Sequence, residues 1–355
     1  MIPISKPLLG QEEIEAVKKV LNSGLLVYGR EAKKFETDFS KYVGTKFAIA
    51  TNSGTSALHT ALSSIGVKEG DEVITTTFSF IATASCILMQ GAKPILCDID
   101  PKTYNISPDQ IEKRITKKTK AIIVVHLYGQ PCDMRSILDI AEDHGLFVIE
   151  DACQAHGAEC NGKKVGSLGD IGCFSFYPTK NMTTGEGGMI TTDDEEIARK
   201  ARMIINHGRK DVYLHGILGY NYRMTEIAGA IGRVQLKKLD IFNKKRINNA
   251  RFYDEELDWV EKPYVADCVK HVYHQYTIRV KIRDKFIKYL EKNGIGYGLY
   301  YPIPIHRQPL FEGYGVTLPN AENASKEVVS IPVHPALSEA ELKKVARVVN
   351  AYGRG

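Results

Sequence analysis

At 355 residues the chain can hold one large domain and a smaller one, at ~100–200 residues per domain. Its 43% hydrophobic and 25% charged content is that of a soluble globular protein, and a net charge of +5 from 47 Lys+Arg and 42 Asp+Glu reads as a solvated surface, not as a nucleic-acid footprint. Seven scattered cysteines (Cys86, Cys97, Cys132, Cys153, Cys160, Cys173, Cys268) without a Cys-x-x-Cys pair argue against a disulfide framework and a zinc ribbon.

Two helices with apolar residues at helical spacing come first, Gln11–Leu21 and Glu31–Tyr42. The segment ahead of them, IPISKPLLGQEEIEAV, lacks the basic and apolar regions of a secretory signal, and no apolar run approaches the ~20 residues of a membrane span. A cytoplasmic protein is the expectation. Strand-like runs follow at Phe47–Thr51, Glu72–Thr76, Pro94–Ile99, Ala121–His126, Phe147–Asp151, Ile171–Tyr177 and Gly188–Thr192. Between them lie helical patterns at Thr55–Ser64, Asp109–Ile115, Met134–Glu142 and Glu195–Ile205. Apolar strands alternating with helices predict an α/β fold, a mostly parallel central sheet flanked by helices. A long helix is expected over Met224–Asp240, and the basic run Lys237–Arg251 reads as a solvated helix face. Beyond it come the strand Tyr276–Val280 and helices near Lys285–Asn293 and Glu339–Ala351. The expected division is a large domain over 1–244 and a smaller α+β domain over 245–355.

Three motifs carry chemistry. Thr51-Asn52-Ser53-Gly54-Thr55-Ser56-Ala57 sits where a strand gives way to a helix. Gly54 allows close backbone approach, and a helix start with hydroxyls suits a phosphate; a simple Ser/Thr helix cap fits the same residues. In Val148-Ile149-Glu150-Asp151-Ala152-Cys153-Gln154, Asp151 ends an apolar strand and points at the crevice where α/β sheets bind ligands. A carboxylate there neutralises a cationic ring nitrogen, with Gln154 near a ring oxygen; capping the next helix is the plainer role. In Phe174-Ser175-Phe176-Tyr177-Pro178-Thr179-Lys180, followed by Thr183-Thr184-Gly185-Glu186-Gly187-Gly188, a lysine after a strand precedes a Gly-rich turn. Held and partly buried there, Lys180 forms an imine with an aldehyde and loses its charge readily.

In this order the motifs resemble the DegT/DnrJ/EryC1/StrS sugar aminotransferases. The resemblance extends from Pro7-Leu8-Leu9-Gly10 through GDEVITTTFSFIATA, GAKPILCDIDPKTYNI and LGYNYRMTEIAGAIG to YYPIPIHRQPLF and SIPVHPALSEAEL. It implies the aspartate-aminotransferase type of fold, with pyridoxal 5'-phosphate (PLP) bound to Lys180 as a Schiff base. Asp151 would pair with the pyridinium nitrogen, Gln154 would contact the ring oxygen, and Gly54, Thr55 and Ser175 would hold the phosphate. Phe80 would stack on the ring, against the alternative of a core aromatic. Asn221 would reach the phosphate of a neighbouring subunit, which implies a homodimer with shared active sites. Tyr301 and His306 match the family's substrate segment, while Tyr177 and Tyr300 stand where His is frequent.

The function so implied is transfer of an amino group, from L-glutamate by family resemblance, to a nucleotide-linked keto-sugar in amino-sugar or polysaccharide biosynthesis. The YYPIPIHRQPLF segment favours a 3-keto over a 4-keto-6-deoxy sugar. A keto-inositol aminotransferase shares the same cofactor residues. A non-catalytic regulator binding ligand or DNA is the reading from another class, and the retained lysine and aspartate weigh against it. No metal, nucleic-acid or membrane partner is expected.

Overall fold

In the computed structural model, which describes residues 1–354, the apolar runs form one seven-stranded sheet. Its strands are β1 (Phe47–Thr51), β2 (Glu72–Thr76), β3 (Lys93–Cys97), β4 (Thr119–Val125), β5 (Phe147–Asp151), β6 (Ile171–Ser175) and β7 (Gly188–Thr192). Their order across the sheet is β1-β7-β6-β5-β4-β2-β3. Pairs β2/β3, β2/β4, β4/β5 and β5/β6 are parallel, and β7 runs antiparallel to both β1 and β6. Ala121–Val125 are buried throughout, as a strand covered on both faces requires. Strands β3, β4 and β6 end short of the expected Ile99, His126 and Tyr177, because the chain leaves the ladder there to build loops at one edge of the sheet.

The helices are α1 (Gln11–Ser23), α2 (Arg30–Val43), α3 (Gly54–Ser64), α4 (Ala82–Met89), α5 (Pro108–Glu112), α6 (Met134–His144), α7 (Glu195–Ile204), α8 (Glu226–Glu256), α9 (Arg283–Lys292), α10 (Pro319–Glu327) and α11 (Glu339–Gly353). Helix α4 escaped the periodicity reading because ATASCILM is apolar nearly all round and mostly buried. Helix α8 starts two residues after the expected Met224, capped by Thr225, and runs on past Asp240 through the basic run Lys237–Arg251. Lys237, Lys244 and Lys245 form the expected solvated face, whereas Asn243 and Arg246 turn inward and are buried.

Helix α8 also crosses the expected division at 244/245. Its first half packs on α2 at very close range: a Cβ on Gly229 would stand 2.6 Å from Ala32 N, and one on Gly232 2.5 Å from the Phe35 ring. The buried Glu226 carboxylate accepts the N–H groups of Gly29, Glu31 and Ala32 at 2.8, 2.8 and 3.0 Å, satisfying orphan donors at the start of α2. Its second half sends Ala250 and Tyr253 into a separate core with Ile278, Phe286 and Val345. That core covers the antiparallel pair β8 (Tyr276–Arg279) and β9 (Val328–Ile331). Ile2 joins the same core and bridges to Ile295, so the first residues pack with the C-terminal part. All seven cysteines are free, and among the described residues no helix is long and apolar enough to cross a membrane.

Candidate active site

The loops after β1, β2, β5 and β6 surround one cavity of about 730 Å³, within the range of small-molecule sites (roughly 300–1,000 Å³). Helix α3 starts directly from β1. Ser53 caps it, its hydroxyl accepting from Ser56 N at 3.1 Å. The first N–H groups of a helix have no internal partner. With Ser53 serving Ser56, those of Gly54 and Thr55 remain on residues that line the cavity. Cap and anion seat therefore coexist, on different residues. Ser175, at the end of β6, packs against Gly54 so tightly that a Cβ on the glycine would stand 2.7 Å from its own Cβ. Backbone N–H groups, a positive dipole end and two hydroxyls meet at one corner, a donor set suited to a phosphate.

On β5, side chains alternate. Glu150 points away from the cavity, where it takes the N–H groups of Gly166, Leu168 and Gly169, each at 2.8 Å, and pairs with His126 at 2.9 Å. Asp151 points into the cavity and is buried. Its Oδ2 accepts from Thr83 Oγ1 at 2.8 Å and its Oδ1 from Cys153 N at 3.2 Å. Gln154 is fixed at both ends: Oε1 accepts from Tyr128 N and Nε2 donates to Tyr301 Oη, both at 3.0 Å.

Lys180 lies past β6 in a turn closed by its own N–H on Tyr177 O (2.9 Å). Burial pulls its ammonium below the ordinary lysine range, with Cys153 and Asp151 partly opposing. No hydrogen bond or ion pair holds its Nζ among the described residues, so burial outweighs the charges that oppose loss of the proton. Asn181, next in the chain, anchors the turn by donating to Asn243 Oδ1 on α8 (2.8 Å) and to Val272 O (3.1 Å). Gly185 makes the return at φ 84°, a backbone conformation that glycine adopts without penalty.

Phe80 is 57% exposed and lines the cavity, which removes the core-aromatic alternative; Phe78, two residues earlier, is the buried ring. Tyr301 forms the facing wall, its ring centroid 6.5 Å from that of Phe80. His306 does not reach the cavity, contrary to the expectation of substrate contact. Its Nδ1 lies 2.6 Å from Thr77 Oγ1 and its Nε2 2.9 Å from Glu322, so the two ring nitrogens are spent on tying the 300–308 strap to the loop after β2 and to α10. Asn221 is exposed outside the cavity, its carbonyl accepting from Asn52 Nδ2 at 3.3 Å on the rim. Thr83, His274, Gln275 and Tyr300 line the cavity without having been singled out as site residues. Thr83 had a local signal, lying four residues after Ser79 in the same FSFIATA segment as Phe80. His274 and Gln275 come from beyond α8 and had none. Burial pushes His274 well below its usual value, so it is neutral, and its Nδ1 has no partner.

A partnerless lysine, a buried carboxylate and a donor-rich corner fit a phosphorylated pyridine aldehyde. The DegT/DnrJ/EryC1/StrS aminotransferase family model matches residues 7–350. The chain belongs to this family. It is 45% identical over 98% of its length, and 95% of the relative's, to a pleiotropic regulatory protein of Geobacillus stearothermophilus. It is 41% identical over 96% of its length, and 94% of the relative's, to a UDP-N-acetyl-3-dehydro-α-D-glucosamine 3-aminotransferase of Acidithiobacillus ferrooxidans. Among solved structures, Spr1654 of Streptococcus pneumoniae in its PLP form superposes with a TM-score of 0.95 at 28% identity, covering 99% of this chain and 98% of that one. The protein is thus a PLP-dependent sugar aminotransferase with the fold its sequence resembled.

Proposed function

We propose that this aminotransferase takes an amino group from L-glutamate and delivers it to a nucleotide-linked keto-sugar, with a 3-keto acceptor preferred over a 4-keto-6-deoxy one. The observation that carries the reading is the pairing, in one cavity, of a lysine destabilised as a cation with a buried carboxylate. The acceptor class is supported by the relative named for a 3-dehydro nucleotide sugar, to which the likeness runs nearly end to end.

When bound, the cofactor supplies an aldehyde for exchange of amines and a ring that absorbs carbanion charge. We assign Lys180 Nζ to hold the cofactor in the resting enzyme. When free of the cofactor and neutral, Nζ would serve as the base that takes the proton from the substrate carbon and gives it back later in the exchange. Asp151 accepts the ring N–H and keeps that nitrogen charged. Gly54, Thr55 and Ser175 would hold the phosphate, Phe80 would cover one ring face, and Gln154 would meet the ring oxygen while its amide steadies Tyr301. Residues 1–244 thereby seat the cofactor, and residues 245–355 contribute the wall formed by His274, Tyr300 and Tyr301. A homodimer completes the site: Asn221, exposed on the rim, serves the phosphate of the second copy.

The test is an absorption spectrum of the purified protein before and after L-glutamate, followed by 3-keto and 4-keto nucleotide sugars assayed side by side. Bleaching of the visible band and faster turnover of the 3-keto sugar are expected. A bleached band with exclusive use of the 4-keto sugar, or of a keto-inositol, overturns the substrate assignment and leaves the chemistry standing.

A further inference from the structure

The Asp151 carboxylate is held by a directed chain of hydroxyls. Thr83 Oγ1 donates to its Oδ2 at 2.8 Å, and the same Thr83 oxygen lies 3.0 Å from Ser79 Oγ. All three residues are buried and all three line the cavity. An ionised carboxylate only accepts, so the single Thr83 proton points at Asp151. Ser79 must then be the donor to Thr83, and the chain has one direction, Ser79 to Thr83 to Asp151. Successive hydrogen bonds in a poorly polarisable interior strengthen one another.

We propose that Thr83 is a positioning residue that sets, through Asp151, how strongly the carboxylate neutralises the cofactor's ring nitrogen, with Ser79 fixing the direction of the Thr83 hydroxyl. This rests on the assignment of Asp151 to that nitrogen. A donor on a carboxylate draws charge from it and lowers its basicity. Together with the Cys153 N–H on Oδ1 at 3.2 Å, it also fixes the carboxylate's rotation, leaving the remaining lone pairs for the ring. Without the Thr83 donor, Asp151 turns more negative charge toward the cofactor. The proton carried by the Lys180–cofactor linkage is then held to higher pH.

The test uses holoenzyme and the pH at which the visible band changes, a readout independent of turnover. Thr83→Val keeps the shape and removes the donor, and should raise the titration midpoint by about half a pH unit or more. Thr83→Ser, which restores a hydroxyl, should return it to the wild-type position. Ser79→Ala should shift it in the same direction by less. An unshifted midpoint in Thr83→Val overturns the proposal, as does a Thr83→Ser variant that behaves like the valine, since packing would then be the role. If Thr83→Val does not retain cofactor, Ser79→Ala carries the test, and an unshifted midpoint there overturns it equally. Asp151→Asn separates the premise: a midpoint unchanged in that variant removes Asp151 from the ring nitrogen and the Thr83 proposal with it.

Discussion

Gly54→Ala tests the phosphate corner with the smallest possible change. The added Cβ would stand 2.7 Å from Ser175 Cβ, 3.1 Å from Cys153 Sγ and 3.3 Å from Ser175 Cα. Gly54 is the first residue of α3 and needs no left-handed backbone, so the cost is steric, not conformational. Two of the three obstructing atoms belong to Ser175 close to its backbone, which cannot swing aside as the tip of a long side chain would. The start of α3 must therefore move away from the end of β6, and overpacking of this kind costs ~1–3 kcal/mol. Because that junction is where the phosphate would sit, the cost should show in cofactor affinity, at about tenfold per 1.4 kcal/mol. Apo-protein titrated with PLP should bind it roughly ten- to a hundredfold more weakly, with a lowered Tm. Ser175→Gly removes the opposing Cβ, so the double variant should be less impaired than the sum of the two singles, by about 1 kcal/mol or more. Wild-type affinity and Tm in Gly54→Ala would refute the argument, and strict additivity would refute the Ser175 contact as its cause.

Lys180→Ala should abolish the visible band of the cofactor-bound protein and full transamination together; an undiminished rate on any accepted substrate would remove Lys180 from the chemistry. His306→Ala cuts the strap's ring contacts to Thr77 and Glu322 and leaves the buried Thr77 hydroxyl without its ring partner, a loss of ~1–3 kcal/mol. It should lower Tm and raise the acceptor KM more than it slows the L-glutamate half-reaction, and equal damage to both would argue against a role in the strap. Burial pushes His156 and His271 down to about 3. Each then takes up a proton near pH 6.5 only in the unfolded chain, so stability is lost as pH falls from about 6.5 toward 3, at up to roughly 1.4 kcal/mol per pH unit per histidine. Urea unfolding at pH 7, 6 and 5 checks this, and a stability that does not fall over that range would contradict it.

The sheet was legible because each of its strands is an apolar run bounded by turn residues, and four of them keep the predicted limits to the residue: Phe47–Thr51, Glu72–Thr76, Phe147–Asp151 and Gly188–Thr192. Local order also exposed the parts of the site that sit on strand ends, since Asp151 and the Gly54 turn follow directly from where β5 and β1 stop. What the sequence hid depends on contacts far apart in the chain. Nothing within a few residues of His306 says that its ring will be consumed by Thr77, 229 positions earlier, so its match to a substrate segment pointed to the wrong face. The basic run of α8 shows the same limit: it reads as a solvated helix face, and only the tertiary fold turns Asn243 and Arg246 inward.

That inward turn bears on the site. Asn243 accepts from Asn181 Nδ2 at 2.8 Å and donates to His156 O at 2.8 Å, so one side chain of α8 grips both the turn carrying Lys180 and the segment following Asp151 and Gln154. Asn181 is further held by Val272 O, and Arg246, one helical turn after Asn243, donates to the carbonyls of Tyr273 and His274 at 3.2 and 3.3 Å. His274 lines the cavity. A single helix thus registers the lysine turn, the β5 loop and the C-terminal wall against one another through buried polar contacts, which tolerate displacement poorly because each would leave a donor or carbonyl unpaired. The spacing between Lys180 and the wall opposite is therefore set by a rigid element, and under the proposed function the freedom to accommodate different sugars would fall to what that helix does not hold: the exposed ring of Tyr177 and the Tyr300–Tyr301 end of the strap.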